Sequence, residues 1–264
     1  MKSNKKNKSS FLDNLISKLL KNDILYQDFL NILKEDKNRF FNDPLLQMEL
    51  LISNGLAIDI NKDDDKVFLK TKKTLLKDQI FCFVDIETNG NSIKDSQIIE
   101  IGAIKYQNGK IIDEYQSLVY AKNIPEYIQD ITQIVPSMLE NQPSLKSVLE
   151  EFKIFLEDHI FVAHNMNFDY QFISDSFNEY DLGAIYNRSI CTIDLSKRTI
   201  NAKRYGLDYL KDILNIDIKN QHRAYSDALS SLYIFENIIK LLPKDIITSE
   251  DLMSFSKSNN KIFN

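Results

Sequence analysis

The run Ile80–Ile86 (Ile-Phe-Cys-Phe-Val-Asp-Ile) is apolar at both odd and even positions until it reaches Asp85. A strand with one wet face alternates, so a strand apolar on both faces belongs at the centre of a sheet covered above and below. The segments that follow can supply both neighbours and cover. Residues 98–106 and 110–119 read as strands joined by Asn108-Gly109, a strong hairpin turn. Residues 125–131 read as helical, 144–156 as an amphipathic helix after Pro143, and 160–163 as a short strand. A helix over 167–177 and a strand over 189–193 come next. Helices from about Asp194 and Leu207 precede a last long helix over 224–242, stopped by Pro243. Strands first, then strands alternating with helices, imply an α/β layer fold around a mixed sheet.

At 264 residues the chain exceeds one average domain, so a second, smaller one is expected ahead of this sheet. Residues 1–10 are Lys, Asn and Ser apart from Met1 and read as a disordered basic arm. From Phe11 to Leu33 apolar residues recur at helical spacing and predict two helices parted near Asn22-Asp23, with Asp23 as N-cap. Asp43-Pro44 predicts a helix start, and Asn54-Gly55 its end. Leu56, Ile58 and Ile60, then Val67 and Leu69, alternate around a polar turn and predict a hairpin. Three helices and a hairpin over 11–70 resemble a winged-helix module, an α+β unit. Residues 71–78 then read as a polar linker, and 244–264 as a polar, weakly structured tail.

Charge argues against direct DNA reading by the first unit. Its third helix, 44–53, offers Gln47 and Glu49 but no Arg or Lys, and its wing carries Asp63-Asp64-Asp65. Such a surface repels phosphates, which favours protein docking over DNA contact. Gln47-Met48-Glu49-Leu50-Leu51 faintly resembles a sliding-clamp-binding peptide, but its helical, apolar character reads as core packing. The Lys2–Lys8 arm reads chiefly as solvated.

Composition narrows the class. Apolar residues are 43% and charged residues 27%, as in an ordinary globular protein. Net charge is −5, with 15 basic against 12 acidic residues in 1–78 and 18 against 26 in 79–264. A negative half can still handle nucleic acid if bound cations reverse its local sign. Cys82 and Cys191 are far apart in sequence and read as reduced thiols of a cytoplasmic protein. No apolar run is long enough for a membrane span, and no leader pattern follows the first lysines.

Function enters through carboxylates. Asp85 and Glu87 lie two apart at the end of the central strand, hence on one face, about 6–7 Å apart at Cα. Two like charges there are tolerable with a cation between them. Asp169 falls in the first turn of a helix after the 160–163 strand, where the helix dipole alone could explain an acid. Asp227 opens the last helix, and His222 precedes it, where a histidine can act as general base. No Cys/His spacing for zinc is present. Each piece is weak by itself.

Their order is not. Phe83-Val84-Asp85-Ile86-Glu87-Thr88, Ile98-Ile99-Glu100-Ile101-Gly102-Ala103, Val162-Ala163-His164-Asn165 with Phe168-Asp169, and His222-Arg223-Ala224-Tyr225-Ser226-Asp227-Ala228 follow one another. Over residues 79–243 the chain resembles the DnaQ-like exonucleases of the DEDD type. Arg223 stands where the tyrosine-base branch has its tyrosine, so the resemblance is to the histidine branch, DEDDh. It implies an RNase H-like fold and a metal-dependent 3′→5′ exonuclease that releases nucleoside monophosphates. Asp85, Glu87 and Asp227 would hold one divalent ion, Asp85 and Asp169 a second, and His222 would deprotonate the attacking water. Ile86 (backbone), Thr88, Asn165 and Phe168 would grip the terminal nucleotide. All-oxygen ligands suit Mg²⁺ or Mn²⁺.

Within that family the resemblance is to the epsilon-type proofreading subunits of bacterial replicative polymerases. It implies single-stranded or frayed 3′ ends of DNA as substrate and a polymerase subunit as protein partner. An RNA-trimming member, of the RNase T or oligoribonuclease type, is the enzymatic alternative. A nuclease-derived binding module is another, disfavoured because all five site residues are intact. So is a winged-helix regulator with a passenger nuclease, which the acidic wing opposes. Two departures stand out: Thr132-Gln133-Ile134 where Thr-Gly-Ile is usual, and Cys191-Thr192 where Asp-Thr is common. Glu100 lies outside the catalytic motif set and reads as a structural carboxylate with a partner.

Overall fold

The computed structural model describes residues 4–219 and 222–263, with the backbone alone for 4–10. The first unit comprises α1 (Asn4–Lys21), β1 (Ile24–Leu25), α2 (Tyr26–Glu35), α3 (Pro44–Ser53), β2 (Ile58–Asn61) and β3 (Lys66–Leu69). Short α4 (Lys70–Lys73) and a 3₁₀ turn over Leu76–Asp78 lead to β4 (Phe81–Thr88), β5 (Ile98–Gln107) and β6 (Lys110–Leu118). Then follow α5 (Glu126–Thr132), α6 (Pro136–Leu139), α7 (Leu145–Leu156), β7 (Ile160–Ala163), α8 (Met166–Glu179) and β8 (Ser189–Cys191). The chain continues through α9 (Thr192–Thr199), α10 (Leu207–Leu214), α11 (Ala224–Ile239) and α12 (Ser249–Lys257).

The apolar run becomes the middle strand, as its two-sided hydrophobicity requires. The large sheet runs β6-β5-β4-β7-β8, with β4 antiparallel to β5 and parallel to β7. Successive side chains of β4 leave opposite faces. Cys82, Val84 and Ile86 pack with Val148, Phe152 and Phe177 of α7 and α8. Phe81 and Phe83 pack with Leu232 and Phe235 of α11 and with Leu252 of α12. By the same alternation Asp85 and Glu87 share the α11 face. The first unit has its own core, centred on Leu15, Leu19, Phe29, Leu33, Leu56, Val67 and Leu69.

Several expectations need correction. The first helix runs back to Asn4, because no Gly or Pro interrupts residues 1–21. Asp23 does not cap α2. Ile24 and Leu25 instead pair with Val67 and Lys66 as a third strand, and Asp23 meets Lys73 at 2.8 Å. The segment 71–78 is fastened: Leu75 bridges to Thr248, and the Thr71 hydroxyl donates to Glu250 at 2.7 Å. Nor is the tail loose from Ser249. Thr248 and Asp251 form a capping box for α12, which inserts Leu252, Met253 and Phe255 into the core. The last long helix ends at Ile239, short of Leu242.

The two units touch directly. The Asn54 carbonyl accepts from Tyr186 N–H at 2.6 Å, and its side chain accepts from Lys153 Nζ at 2.8 Å. Gly55, at φ +94, ends α3 against Asn187, where a Cβ would lie 2.1 Å from Oδ1. Gln47, Met48 and Leu51 are buried in a helix, which agrees with packing and not with an extended peptide. The Gln47 side chain accepts from the Phe40 and Phe41 N–H groups.

Gln133 closes α5 at φ +58, so the loop keeps a left-handed shape without the glycine usual there. A side chain in that region costs of order 1 kcal/mol. Gln133→Gly is therefore expected to stabilise the protein by up to about 1 kcal/mol, read as a higher urea midpoint at unchanged m-value. An unchanged or lower midpoint refutes the strain.

Candidate active site

The site is assembled by one close approach. Gly102 pairs with Asp85 across β4 and β5, and the N-terminus of α11 rests on it. A Cβ there would lie 2.2 Å from Tyr225 N, so any side chain would push α11 away. The approach carries Asp227, in the first turn of α11, over Asp85 and Glu87. Carboxylate oxygens of Asp85, Glu87 and Asp227 all lie within 4.8 Å of one another.

An ion pair fixes the same helix end. Glu100, fully buried opposite Glu87, accepts from Arg223 Nε at 3.0 Å and from Nη2 at 2.8 Å. It also accepts from the Ala224 N–H at 3.1 Å and from Gln116 Nε2 at 3.0 Å. Glu100 is thus a structural carboxylate, and its partner is the residue that separates the histidine and tyrosine branches. Deleting one member of a buried pair leaves the other charge stranded. Arg223→Met is expected to cost about 2–3 kcal/mol, below the usual figure for a fully buried pair because Arg223 keeps some water. Glu100→Leu with Arg223→Met should recover most of it in a double-mutant cycle measured by urea unfolding. Simple addition of the two single losses would refute the pairing.

Asp169 is not one of these three, but its charge acts on Asp85. Asp169 is buried in the first turn of α8. Asn165 precedes that helix in a left-handed conformation at φ +67. Phe168 is 36% exposed, and its ring lies tilted at 48° to that of Phe172. It borders a cavity of about 350 Å³ with Ser92, Ile93 and Gln171. Ile86 lies buried between the two β4 carboxylates. Thr88 is buried, and its hydroxyl donates to the Gly90 carbonyl at 2.8 Å. His222 is exposed, at φ +57, and its N–H donates to Asp227 Oδ2 at 3.2 Å.

Electrostatics show what the cluster lacks. Burial, then Asp169, Glu87 and Asp227, drive the Asp85 carboxyl well above the usual range. Burial followed by Asp227 and Glu100 pushes Glu87 up to about 8. Burial also lifts Asp169 to about 8, against the pull of its own N–H and that of Ile86. Asp227 is raised by burial, with His222 and Lys211 opposing. Asp227 Oδ1 is buried with no hydrogen-bond partner among the described residues. Crowded carboxylates with an orphaned acceptor fit a hard divalent cation bound through oxygen. Two helpers escaped the sequence reading. Gly102 stood in a segment quoted for the resemblance but was given no role of its own. Lys211 sits on the buried side of α10, where a lysine is unexpected.

Comparison with known proteins places the chain in a family. The family model described as exonuclease (RNase T) matches residues 82–235. A DNA polymerase III of the PolC type from Thermotoga maritima is 36% identical over 208 residues, which cover 78% of this chain and 15% of that protein. The PolC-type polymerase of Staphylococcus aureus (strain bovine RF122 / ET3-1) is 34% identical over 189 residues, 70% of this chain and 13% of its own. The chain thus spans about one seventh of these relatives. They are PolC-type chains, so the likeness to epsilon subunits is approximate. Among solved structures, Exonuclease X in complex with 5′ overhanging duplex DNA superposes with a TM-score of 0.54 at 21% identity. That match covers 67% of this chain and 99% of the other. E. coli Exonuclease I with a dT13 oligonucleotide gives 0.56 at 14% identity, covering 62% and 41%. The likeness extends to the fold, a mixed sheet flanked by helices. Because the family span covers more than half of the chain and contains Asp85, Glu87, Asp169, His222 and Asp227, this protein belongs to the exonuclease family.

Proposed function

We propose that the protein is a metal-dependent 3′→5′ exonuclease that hydrolyses the terminal phosphodiester of DNA and releases nucleoside monophosphates. The observation that carries this reading is the convergence of Asp85, Glu87 and Asp227 within 4.8 Å, with an orphaned buried oxygen on Asp227. Asp85, Glu87 and Asp227 would hold one divalent cation, and Asp169, whose charge acts on Asp85, would help to hold a second. Two such ions, Mg²⁺ or Mn²⁺, supply a water of lowered pKa and charge relief on the leaving oxygen. His222 takes the proton of the attacking water. The water oxygen bonds to phosphorus, the P–O3′ bond breaks, and the departing 3′ oxygen is protonated. Asn165, Thr88 and the Ile86 backbone frame the terminal nucleotide, and Phe168 offers its exposed ring to the unpaired base.

Single-stranded or frayed ends of DNA are the substrate, and proofreading during replication in the cytoplasm is the role. Similarity to PolC-type polymerases supports that role and points to a replicative polymerase subunit as partner. The first unit serves docking: α3 exposes Leu45, Leu46 and Ile52 and carries no basic residue, while Asp63–Asp65 make the turn between β2 and β3 acidic. No described helix is long and apolar enough to cross a membrane. A time course on a 3′-mismatched primer–template with Mg²⁺ tests the reading. Preferential removal of the unpaired end supports proofreading. Trimming of RNA at an equal rate moves the protein to the RNA-processing branch, and digestion undiminished by EDTA removes the metal reading altogether.

A further inference from the structure

The loop between α9 and α10 carries Lys203 and Arg204. Both are exposed, and neither has a hydrogen-bond or ion-pair partner among the described residues. Arg204 lines a cavity of about 390 Å³ together with Gly206, Leu207, Asp208, Tyr209, His222 and Asp227. Two acids of the flanking helices are engaged by lysines: Asp194 by Lys197 at 3.7 Å and Asp208 by Lys211 at 3.9 Å. A free guanidinium therefore faces the same space as the proposed base and a carboxylate of the cluster.

The loop is braced. His164 Nε2 lies 2.9 Å from the Tyr205 carbonyl, and its Nδ1 lies 2.8 Å from Thr192 Oγ1. A carbonyl only accepts, so Nε2 carries the proton and Nδ1 accepts from the threonine hydroxyl. Burial holds this imidazole neutral, with a pKa near 4. The Tyr205 hydroxyl donates to the Ile200 carbonyl at 3.1 Å and closes the loop on itself. Arg204 is therefore adjacent to a backbone group gripped from the junction that also sets Asn165 and Asp169.

A carboxylate centre repels a polyanionic strand, and arginine matches phosphate oxygens in geometry and charge. We propose that Arg204 binds a phosphodiester phosphate of the substrate strand on the His222 side of the site, in a cavity separate from that at Phe168. The proposal rests on the exonuclease reading and adds a subsite to it.

The test uses the full chain with Asp85→Asn as the non-hydrolysing parent, and a fluorescein-labelled oligothymidylate followed by anisotropy across a salt series. Adding Arg204→Ala should reduce the slope of log affinity against log salt by about 0.7, the value for one phosphate contact to a single strand. Affinity at low salt should fall about three- to tenfold. Arg204→Lys should restore the slope, because the charge returns without the planar fork. Lys240→Ala, just beyond the C-terminal end of α11, should leave the slope unchanged. An Arg204→Ala slope equal to that of the parent overturns the subsite, as does equal weakening at every salt concentration. Weaker competition by thymidine monophosphate against the labelled strand, with an unchanged strand slope, also overturns it, since that assigns Arg204 to the released product. Failure of the wild type to release nucleotides from the same strand would instead sink the exonuclease reading, so the two failures are distinct.

Discussion

Asp85→Asn is expected to slow hydrolysis of a single-stranded DNA end by at least about a thousandfold, equivalent to about 4 kcal/mol of barrier. Asp85 is the hub of the cluster, with Asp169, Glu87, Asp227 and Glu100 all acting on its carboxyl as like charges. Asparagine keeps the volume and one oxygen but removes the charge that a hard cation requires of its ligands. A gel time course in Mg²⁺ reads the loss, and activity within tenfold of wild type would place the chemistry elsewhere.

The same substitution should make the metal-free protein more stable, which distinguishes a strained site from an ordinary folding defect. Glu87 and Asp169 are pushed up to about 8 in the folded chain, whereas unfolded carboxylates titrate near 4. The folded state thus binds extra protons between these values, so metal-free stability rises as pH falls from about 8 towards 5. The gain is complete below the unfolded values, where both states are protonated. In EDTA at pH 8, Asp85→Asn relieves the repulsion at its hub and should raise the melting temperature by at least about 3 °C. In Mg²⁺ the order should reverse, because the wild type gains binding energy that the variant lacks. A metal-free wild type whose melting temperature falls between pH 8 and 6 would falsify the carboxylate cluster as a repulsive site.

The sheet and the cluster were legible for the same physical reason. A strand apolar on both faces can lie only at the centre of a covered sheet, and alternation along β4 puts Asp85 and Glu87 on one face with Phe81 and Phe83. That face is the one α11 covers, so the order of the motifs anticipated the meeting of Asp227 with them. What stayed hidden depends on contacts distant in sequence. The tail beyond Pro243 looks polar because the inward side of α12 mixes Leu252, Met253 and Phe255 with Ser249, Glu250 and Ser256, although Thr248 and Asp251 held the capping signal. Ile24-Leu25 is too short to show a strand period and becomes one only by pairing with β3. Gly102 gives no local hint that a helix end rests on it. The Glu100 partner could have been guessed from charge alone, but only the fold brings Arg223 back across 123 residues to reach it.

His222→Asn is expected to lower kcat by about 10²- to 10⁴-fold while leaving Mn²⁺ affinity within about threefold of wild type. The separation follows from what His222 contributes. Its side chain is exposed and donates no hydrogen bond within the described residues, whereas its backbone N–H holds Asp227 Oδ2 at 3.2 Å. Any side-chain change that preserves the backbone therefore preserves the carboxylate geometry. The backbone is at φ +57, a region that asparagine tolerates and that penalises alanine and branched residues. Asparagine thus removes the imidazole with little distortion, and a comparison with His222→Val separates proton transfer from loop shape. Valine should lose both kcat and Mn²⁺ affinity, asparagine kcat alone. Calorimetric titration of Mn²⁺ beside steady-state kinetics reads the difference. Equal loss of metal binding in both variants would show that the imidazole belongs to the ion site and is not the base.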